Sequence, residues 1–273
     1  MVGLTRCSNF NFNITSKINW QKHNTSITTF IAYKTSTMKK IITLLAFLTL
    51  FSCSNDDDSG NDNSGSKTKK YVDRISLVSQ NGSFDISLTY NADKQIASYT
   101  RGTTTRLSYE YQGGRLVRVN DLDFPDSPYQ FTYNDGILFS LKHYNETYAV
   151  TYNKADKSYF FDGISTLKFG FSGKNITYVE EGNSGRQTFS YNNSKKGPLY
   201  NVDMDDLYFI PLLSDYSYSF LSASPLSEIK IASENTTTYK AENTYDDKGY
   251  LTSTVMRSGN DQLYSATYHY INL

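Results

Sequence analysis

The feature that most limits what this chain can fold into is a strand-then-turn unit recurring about every 20 residues. Aromatic residues close short runs at Tyr90, Tyr111, Tyr133, Tyr152, Phe171 and Tyr191, in steps of 21, 22, 19, 19 and 20 residues; Tyr245 and Tyr268 resume the series 23 apart. Most precede a turn-forming cluster, among them Asn91-Ala92-Asp93-Lys94, Gln112-Gly113-Gly114, Asn134-Asp135-Gly136 and Asp246-Asp247-Lys248-Gly249. Asn, Asp and Gly tolerate the left-handed backbone that tight hairpins require. Phe84–Tyr90, Leu107–Tyr111, Leu167–Phe171 and Ala266–Tyr270 alternate apolar and polar with period two, the pattern of a half-buried strand. One repeat is therefore one hairpin. The reading is all-β: an antiparallel meander of roughly a dozen or more strands, forming a strongly curved or barrel-like sheet. Val202–Ser227 breaks the pattern, with Asp203-Met204-Asp205-Asp206 and Pro211, and reads as a long loop or a short helix.

A long sheet must bury one face, by curling into a barrel, by layering or by capping its ends. Membrane-spanning strands need about 9–11 residues and a continuous lipid-facing apolar band. The alternating runs here are mostly five to seven residues and many apolar positions are Tyr, so the sheet reads as soluble rather than membrane-spanning. Lys+Arg and Asp+Glu balance at 27 each without a basic block, which argues against nucleic acid as a partner. Two cysteines cannot build a disulfide-dense scaffold or a four-thiolate zinc site.

The neutral total hides an asymmetry. Residues 1–52 hold six basic side chains and no acidic ones, leaving residues 53–273 with a net charge of −6. Met38-Lys39-Lys40, the largely apolar run Ile41–Leu50 and Phe51-Ser52-Cys53 make a secretory signal too short to span a bilayer. Leu50-Phe51-Ser52-Cys53 resembles the lipobox of bacterial lipoproteins, which implies an acyl lipid on Cys53 and a membrane anchor. Residues 54–66 contain no apolar side chain and read as a flexible acidic tether. An acidic run after a lipidated cysteine resembles the surface-export signal of Bacteroidetes-type lipoproteins; a plain solvated spacer is the competing reading. Residues 1–37 read as an upstream extension, with Met38 as the native start, and a transit peptide as the rival. The organisation is thus 1–37 extension, 38–52 signal peptide, 53–66 tether and 67–273 a single repeat-built β domain.

Tyr245-Asp246-Asp247-Lys248-Gly249-Tyr250-Leu251 resembles the tyrosine-aspartate repeat, and Tyr111–Leu116 and Tyr133–Leu138 resemble shortened versions. Degenerate hairpins of this kind behind a lipobox resemble an uncharacterised Bacteroidetes surface lipoprotein family with a porin-like β fold. The resemblance implies an architecture and an exported, outer-membrane location, at the cell surface or facing the periplasm. It implies no chemistry.

Motifs for chemistry are sparse. His143 and His269 lie in strand-like text, with no Cys or His at metal-ligand spacing. No nucleophile elbow, zinc-protease motif or phosphate-cradling loop is present. Asp121, Asp123 and Asp126, and Asp203, Asp205 and Asp206, place hard oxygen ligands close together and are weak calcium candidates. No other cofactor is expected. Residues 53–273 hold 23 Tyr and no Trp, and Tyr is enriched at binding surfaces. Tyr109, Tyr111, Tyr133 and Tyr152 are therefore candidates for an aromatic face that binds glycan or protein. The chain reads as a non-enzymatic, lipid-anchored binding or accessory module. A structural envelope protein is the first alternative and a hydrolase, which requires two converging acids, the second.

Overall fold

The computed structural model describes residues 69–273, apart from 81, 104, 164–166, 183–184, 205–206, 216 and 233–235. The extension, the signal peptide, Cys53 and the tether lie outside the described residues. Sixteen strands follow in order: β1 (Lys70–Ser79), β2 (Gly82–Tyr90), β3 (Ile96–Arg101), β4 (Thr105–Gln112), β5 (Arg115–Asp121), β6 (Tyr129–Asn134), β7 (Ile137–His143) and β8 (Glu146–Asn153). Then come β9 (Ser158–Phe161), β10 (Leu167–Ser172), β11 (Asn175–Glu180), β12 (Arg186–Tyr191), β13 (Leu226–Ala232), β14 (Thr237–Tyr245), β15 (Leu251–Ser258) and β16 (Asp261–Asn272). Each pairs antiparallel with its sequence neighbours, and β1 pairs with β16, closing the barrel. The meander is as the repeat requires. Several strands are longer than the alternating text, since β1, β2 and β16 run to 10, 9 and 12 residues. Bulges interrupt the alternation and so shorten the runs that period two reveals.

Cross-strand partners share a face, and the registers therefore assign every row. Leu88, Tyr99 and Leu107 form one lateral row and are buried. The adjacent row, Arg74–Ser87–Thr100–Arg106, faces outward, as does Arg118–Gln130–Lys142–Thr147 farther round. The wall is apolar inside and hydrophilic outside, the reverse of what lipid contact demands. Phe139 and Phe160, 57% and 37% exposed, interrupt the hydrophilic surface without forming a band.

The turns after even-numbered strands and the start of β1 share one rim, here the near rim; the turns after odd-numbered strands form the far rim. The near-rim turns explain the repeat. In Asn91–Gln95, the Asn91 side chain accepts the Gln95 N–H at 2.9 Å, and Lys94 takes a φ of +64°. In Asp246–Tyr250, the Asp246 side chain accepts the N–H groups of Lys248 and Tyr250, and Gly249 takes the corresponding left-handed φ of +79°. One amino acid with a short acceptor side chain opens the turn, and one left-handed residue closes it.

The strand-ending aromatics have a structural use. Register shifts fall at Tyr90, Tyr111, Tyr133, Phe171, Tyr191 and Tyr245, where the ladder of backbone hydrogen bonds is interrupted. Tyr hydroxyls then donate to backbone carbonyls one strand back. Tyr111 reaches Ile96 O at 3.0 Å, Tyr133 reaches Leu116 O at 2.7 Å and Tyr191 reaches Ile176 O at 2.7 Å. Tyr270 reaches Leu251 O at 2.8 Å, and Tyr90 reaches Val72 O at 2.5 Å. Each acceptor is the residue paired with the preceding repeat's aromatic: Ile96 with Tyr90, Leu116 with Tyr111, Val72 with Tyr270. The chain of contacts therefore passes across the β1–β16 seam. Asn243 substitutes once, donating to Leu226 O at 2.8 Å. Replacing Tyr133 by Phe keeps the ring and leaves the Leu116 carbonyl without this donor. The expected loss is about 0.5–1.5 kcal/mol in urea unfolding; an unchanged midpoint would show that the hydroxyl contributes nothing.

Residues 192–225, between β12 and β13, do not lie as a surface loop. They fill the bore, with 3-10 turns at Ile210–Asp215 and Ser217–Phe220. Leu199, Val202, Leu207, Tyr208, Phe209, Leu212 and Leu221 are all at most 2% exposed and belong to the same core as the wall. The segment enters at the near rim, where Gly197 N–H donates to Ala223 O; a Cβ on Gly197 would lie 2.5 Å from Ser222 O, which restricts the position to glycine. It extends deep into the bore. The Tyr218 hydroxyl meets Gln187 Oε1 at 3.2 Å, and Phe220 packs against Tyr264 with ring centroids 4.8 Å apart, both partners lying toward the far rim. The bore is a packed core, not a channel. The alternation of apolar and polar residues cannot reveal this, because period two marks a buried face without saying what covers it.

Candidate functional site

With the bore filled, ligand-facing groups are confined to the rims and the outer wall. The far rim carries the most distinctive cluster, built on residues 122–128 between β5 and β6. Asp121 organises this loop: its side chain accepts the Asp123 N–H at 2.9 Å and its carbonyl accepts the Phe124 N–H at 3.1 Å. The Phe124 carbonyl then accepts the Ser127 N–H at 3.1 Å. Arg106 on β4 pins the loop through Nε and Nη2 to Asp123 Oδ1, at 3.1 and 2.7 Å. Successive turns leave no position for the apolar side chains of the loop to reach the core. Leu122 is 50% exposed and Phe124 62%.

Beside this loop stands an aromatic stack. His143, ending β7, lies flat on Tyr129 with centroids 3.8 Å apart and 8° between planes, and Tyr144 tilts against the His143 ring at 4.3 Å. Burial lowers the His143 pKa from its ordinary value, opposed by backbone hydrogen bonds with Pro128 and Ser127. Tyr144 sits in the β7–β8 turn with φ +53° and is 52% exposed. Asp123 Oδ2 is buried and has no hydrogen-bond partner among the described residues. Exposed ring faces beside the carboxylates of the loop suit a ligand with apolar C–H faces and many hydroxyls.

The four tyrosines expected to form a binding face are elsewhere, and that expectation is corrected. Tyr109 is buried, and its hydroxyl donates to Tyr208 O in the bore at 3.3 Å. Tyr111 and Tyr133 face inward at the near rim with their hydroxyls on backbone carbonyls. Tyr152 is half-buried against Tyr159, ring centroids 4.7 Å apart. Tyr111 and Tyr133 are consumed by the wall, because an amphipathic side chain at a bulge can pack its ring and still satisfy a carbonyl.

Of the calcium candidates, Asp121, Asp123 and Asp126 are not gathered at one site, and the second group is described only at Asp203. Asp121 caps the loop and Asp123 pairs with Arg106, while Asp126 is exposed. Asp203 lies at the opposite rim, where its N–H donates to Lys94 O; Asp205 and Asp206 lie outside the described residues. No group of three His, Cys, Asp or Glu side chains among the described residues is arranged to hold a metal. The signal missed in the sequence is the text Leu122-Asp123-Phe124-Pro125-Asp126, where apolar side chains occur within turn-forming residues.

An open depression of about 530 Å³ lies on the outer wall, with Asp73, Arg74, Tyr90, Ile271 and Leu273 among its lining. Asp73 is the one acidic side chain in its lining.

No family model matches the chain, and no curated protein matches it. Among the solved structures that resemble it are two porin-like proteins. One is a porin-like protein from Bacteroides uniformis ATCC 8492, with a TM-score of 0.47 and 15% identity, covering 74% of this chain and 98% of that one. The other is a porin-like protein from Bacteroides vulgatus ATCC 8482, with a TM-score of 0.40 and 14% identity, covering 75% of this chain and 100% of that one.

Proposed function

We propose that this chain is a lipid-anchored protein of a bacterial outer envelope, acylated at Cys53, that presents a non-enzymatic binding surface for glycan. The observation that carries the reading is the exposed Phe124–Tyr144 cluster on the far rim, opposite the rim at which β1 begins. The hydrophilic outer wall and the filled bore support it, because neither a spanning channel nor a deep catalytic cleft fits them. The lipobox, the acidic tether and the resemblance to Bacteroidetes surface lipoproteins support the location.

Glycan arrays probed with the purified full chain test the ligand class. Phe124→Ala and Tyr144→Ala are expected to weaken a bound glycan about tenfold each, the equivalent of about 1.4 kcal/mol, with unchanged circular dichroism. Binding that survives both substitutions would remove the far rim from consideration. A structural envelope role is the second reading, favoured by the fully packed bore. Altered envelope integrity in a deletion strain, with no glycan bound by the purified protein, would establish it instead.

A further inference from the structure

The near rim carries a cationic and aromatic patch centred on the point where the chain joins the wall. Lys69 and Lys70 lead into β1, Lys195 and Lys196 follow β12, and Lys248 occupies the β14–β15 turn. These side chains are physically gathered. Lys70 and Lys196 both lie over the Tyr250 ring, 5.5 and 4.8 Å from its centroid, and Lys195 lies 5.3 Å from that of Tyr245. Asn201 Nδ2 ties the group together, donating to Lys70 O and to the Tyr250 hydroxyl, each at 2.8 Å. Tyr200 packs edge-on to Tyr250 at 6.3 Å and is 47% exposed.

Among the described residues, Asp203, Asp246 and Asp247 accompany the five lysines, and Leu273, whose N–H donates to Lys69 O at 3.1 Å, brings its carboxylate to the same rim. Asp246 is already engaged, by Lys70 Nζ at 2.6 Å and by the N–H groups of Lys248 and Tyr250. The Lys70 pairing and these hydrogen bonds hold its carboxyl below the usual range against the opposing effect of burial. The far rim carries both signs, with Arg101, Arg106 and Arg186 at the strand ends there. Glu146, Asp162, Glu180, Glu181 and Asp261 lie at its turns, beside the acids of the 122–128 loop.

We infer that the near-rim patch seats the barrel on an anionic lipid surface, with Tyr200 at the headgroup level and the lysines on lipid phosphates. Lysine and tyrosine together are the composition of the membrane–water interface. The choice of a lipid surface over another polyanion follows from the chain path. The sequence leading back to Cys53 leaves from this patch, and sixteen residues span at most about 55 Å when fully extended. A tether that short keeps the bilayer at high effective concentration and reinforces lysine–phosphate attractions that are measurable without it. The inference rests on the lipid-anchored reading for its setting. It adds an orientation: with the near rim on the membrane, the Phe124–Tyr144 cluster faces away from it.

The test uses the full chain with Cys53→Ser, so that vesicle binding is independent of acylation. Vesicles of phosphatidylcholine alone are compared with vesicles containing added phosphatidylglycerol. Cosedimentation with the anionic vesicles is expected to exceed that with the neutral ones by about tenfold and to fall as salt shortens the screening length. Lys195→Ser/Lys196→Ser/Lys248→Ser is expected to lower it about tenfold with unchanged circular dichroism; Lys142→Ser on the outer wall is expected to leave it unchanged. Absent binding, equal binding to both vesicles, or a triple variant indistinguishable from its parent overturns the inference. So does a tenfold gain on changing Asp56, Asp57, Asp58 and Asp62 to Asn, which would assign the patch to the acidic tether. The mass of native Cys53 tests the anchor separately.

Discussion

Phe209→Ala is expected to cost about 3–5 kcal/mol, the largest effect of any single truncation proposed here. Phe209 is fully buried in the bore and meets four other rings: Phe169 at 4.9 Å, Phe171 at 5.7 Å, Tyr218 at 6.0 Å and Tyr208 at 6.1 Å. It joins the 192–225 segment to the inner face of β10. Removing the ring opens a cavity between parts of the fold that are far apart in sequence and cannot collapse readily onto one another. Domains are stable by about 5–15 kcal/mol in total, so the urea midpoint should fall by a large fraction of its starting value. A loss below about 1 kcal/mol would mean that the segment contributes little to the core and that the bore is not packed as described.

The second large effect is an alkaline transition governed by tyrosine. Burial, the first cause in each case, pushes Tyr268 up to about 12 and raises Tyr90, Tyr191, Tyr264 and Tyr270 further. A phenol whose folded pKa lies above its unfolded value of about 10 stabilises the fold fully below pH 10. That stabilisation is lost as pH rises from 10 toward the folded value, because the unfolded chain gives up its protons first. Tyrosinate absorbance from these residues is therefore expected to appear together with the loss of far-ultraviolet circular dichroism above pH 10. Smooth titration of all tyrosines near pH 10 with the circular dichroism intact would contradict their burial.

The repeat of strand-ending aromatics and turn clusters was enough to read the hairpin meander, because both periods arise from local backbone geometry. Asn91 and Asp246 are turn openers by chemistry alone, and Gly249 is a left-handed residue by chemistry alone. The destination of the tyrosines was not legible. Alternation around Tyr109 and Tyr111 says that one face is covered; only closure of the sheet decides that this face points into a bore. The content of the bore was hidden for a related reason. Val202–Ser227 has no strand period, and an irregular segment reads as a surface loop until a cavity of the right size exists to receive it. The far-rim cluster was missed because the acids Asp121, Asp123 and Asp126 drew attention as oxygen ligands. Two of them are committed instead, one to the loop's own backbone and one to Arg106, while the apolar residues between them remain exposed.

The seam between β1 and β16 has a consequence for how the molecule comes into being. A ribosome releases the first strand long before the last exists, and no intermediate length of chain can complete the circle. Until Asp261–Asn272 arrives, β1 and the most recently made strand are both naked edges, the kind that recruit other chains. The apolar 192–225 segment meanwhile has no finished enclosure to enter. Contacts this distant in sequence also form slowly. The protein thus passes through a long, adhesive adolescence, and a cell that makes it must shelter the unfinished chain until its two ends meet.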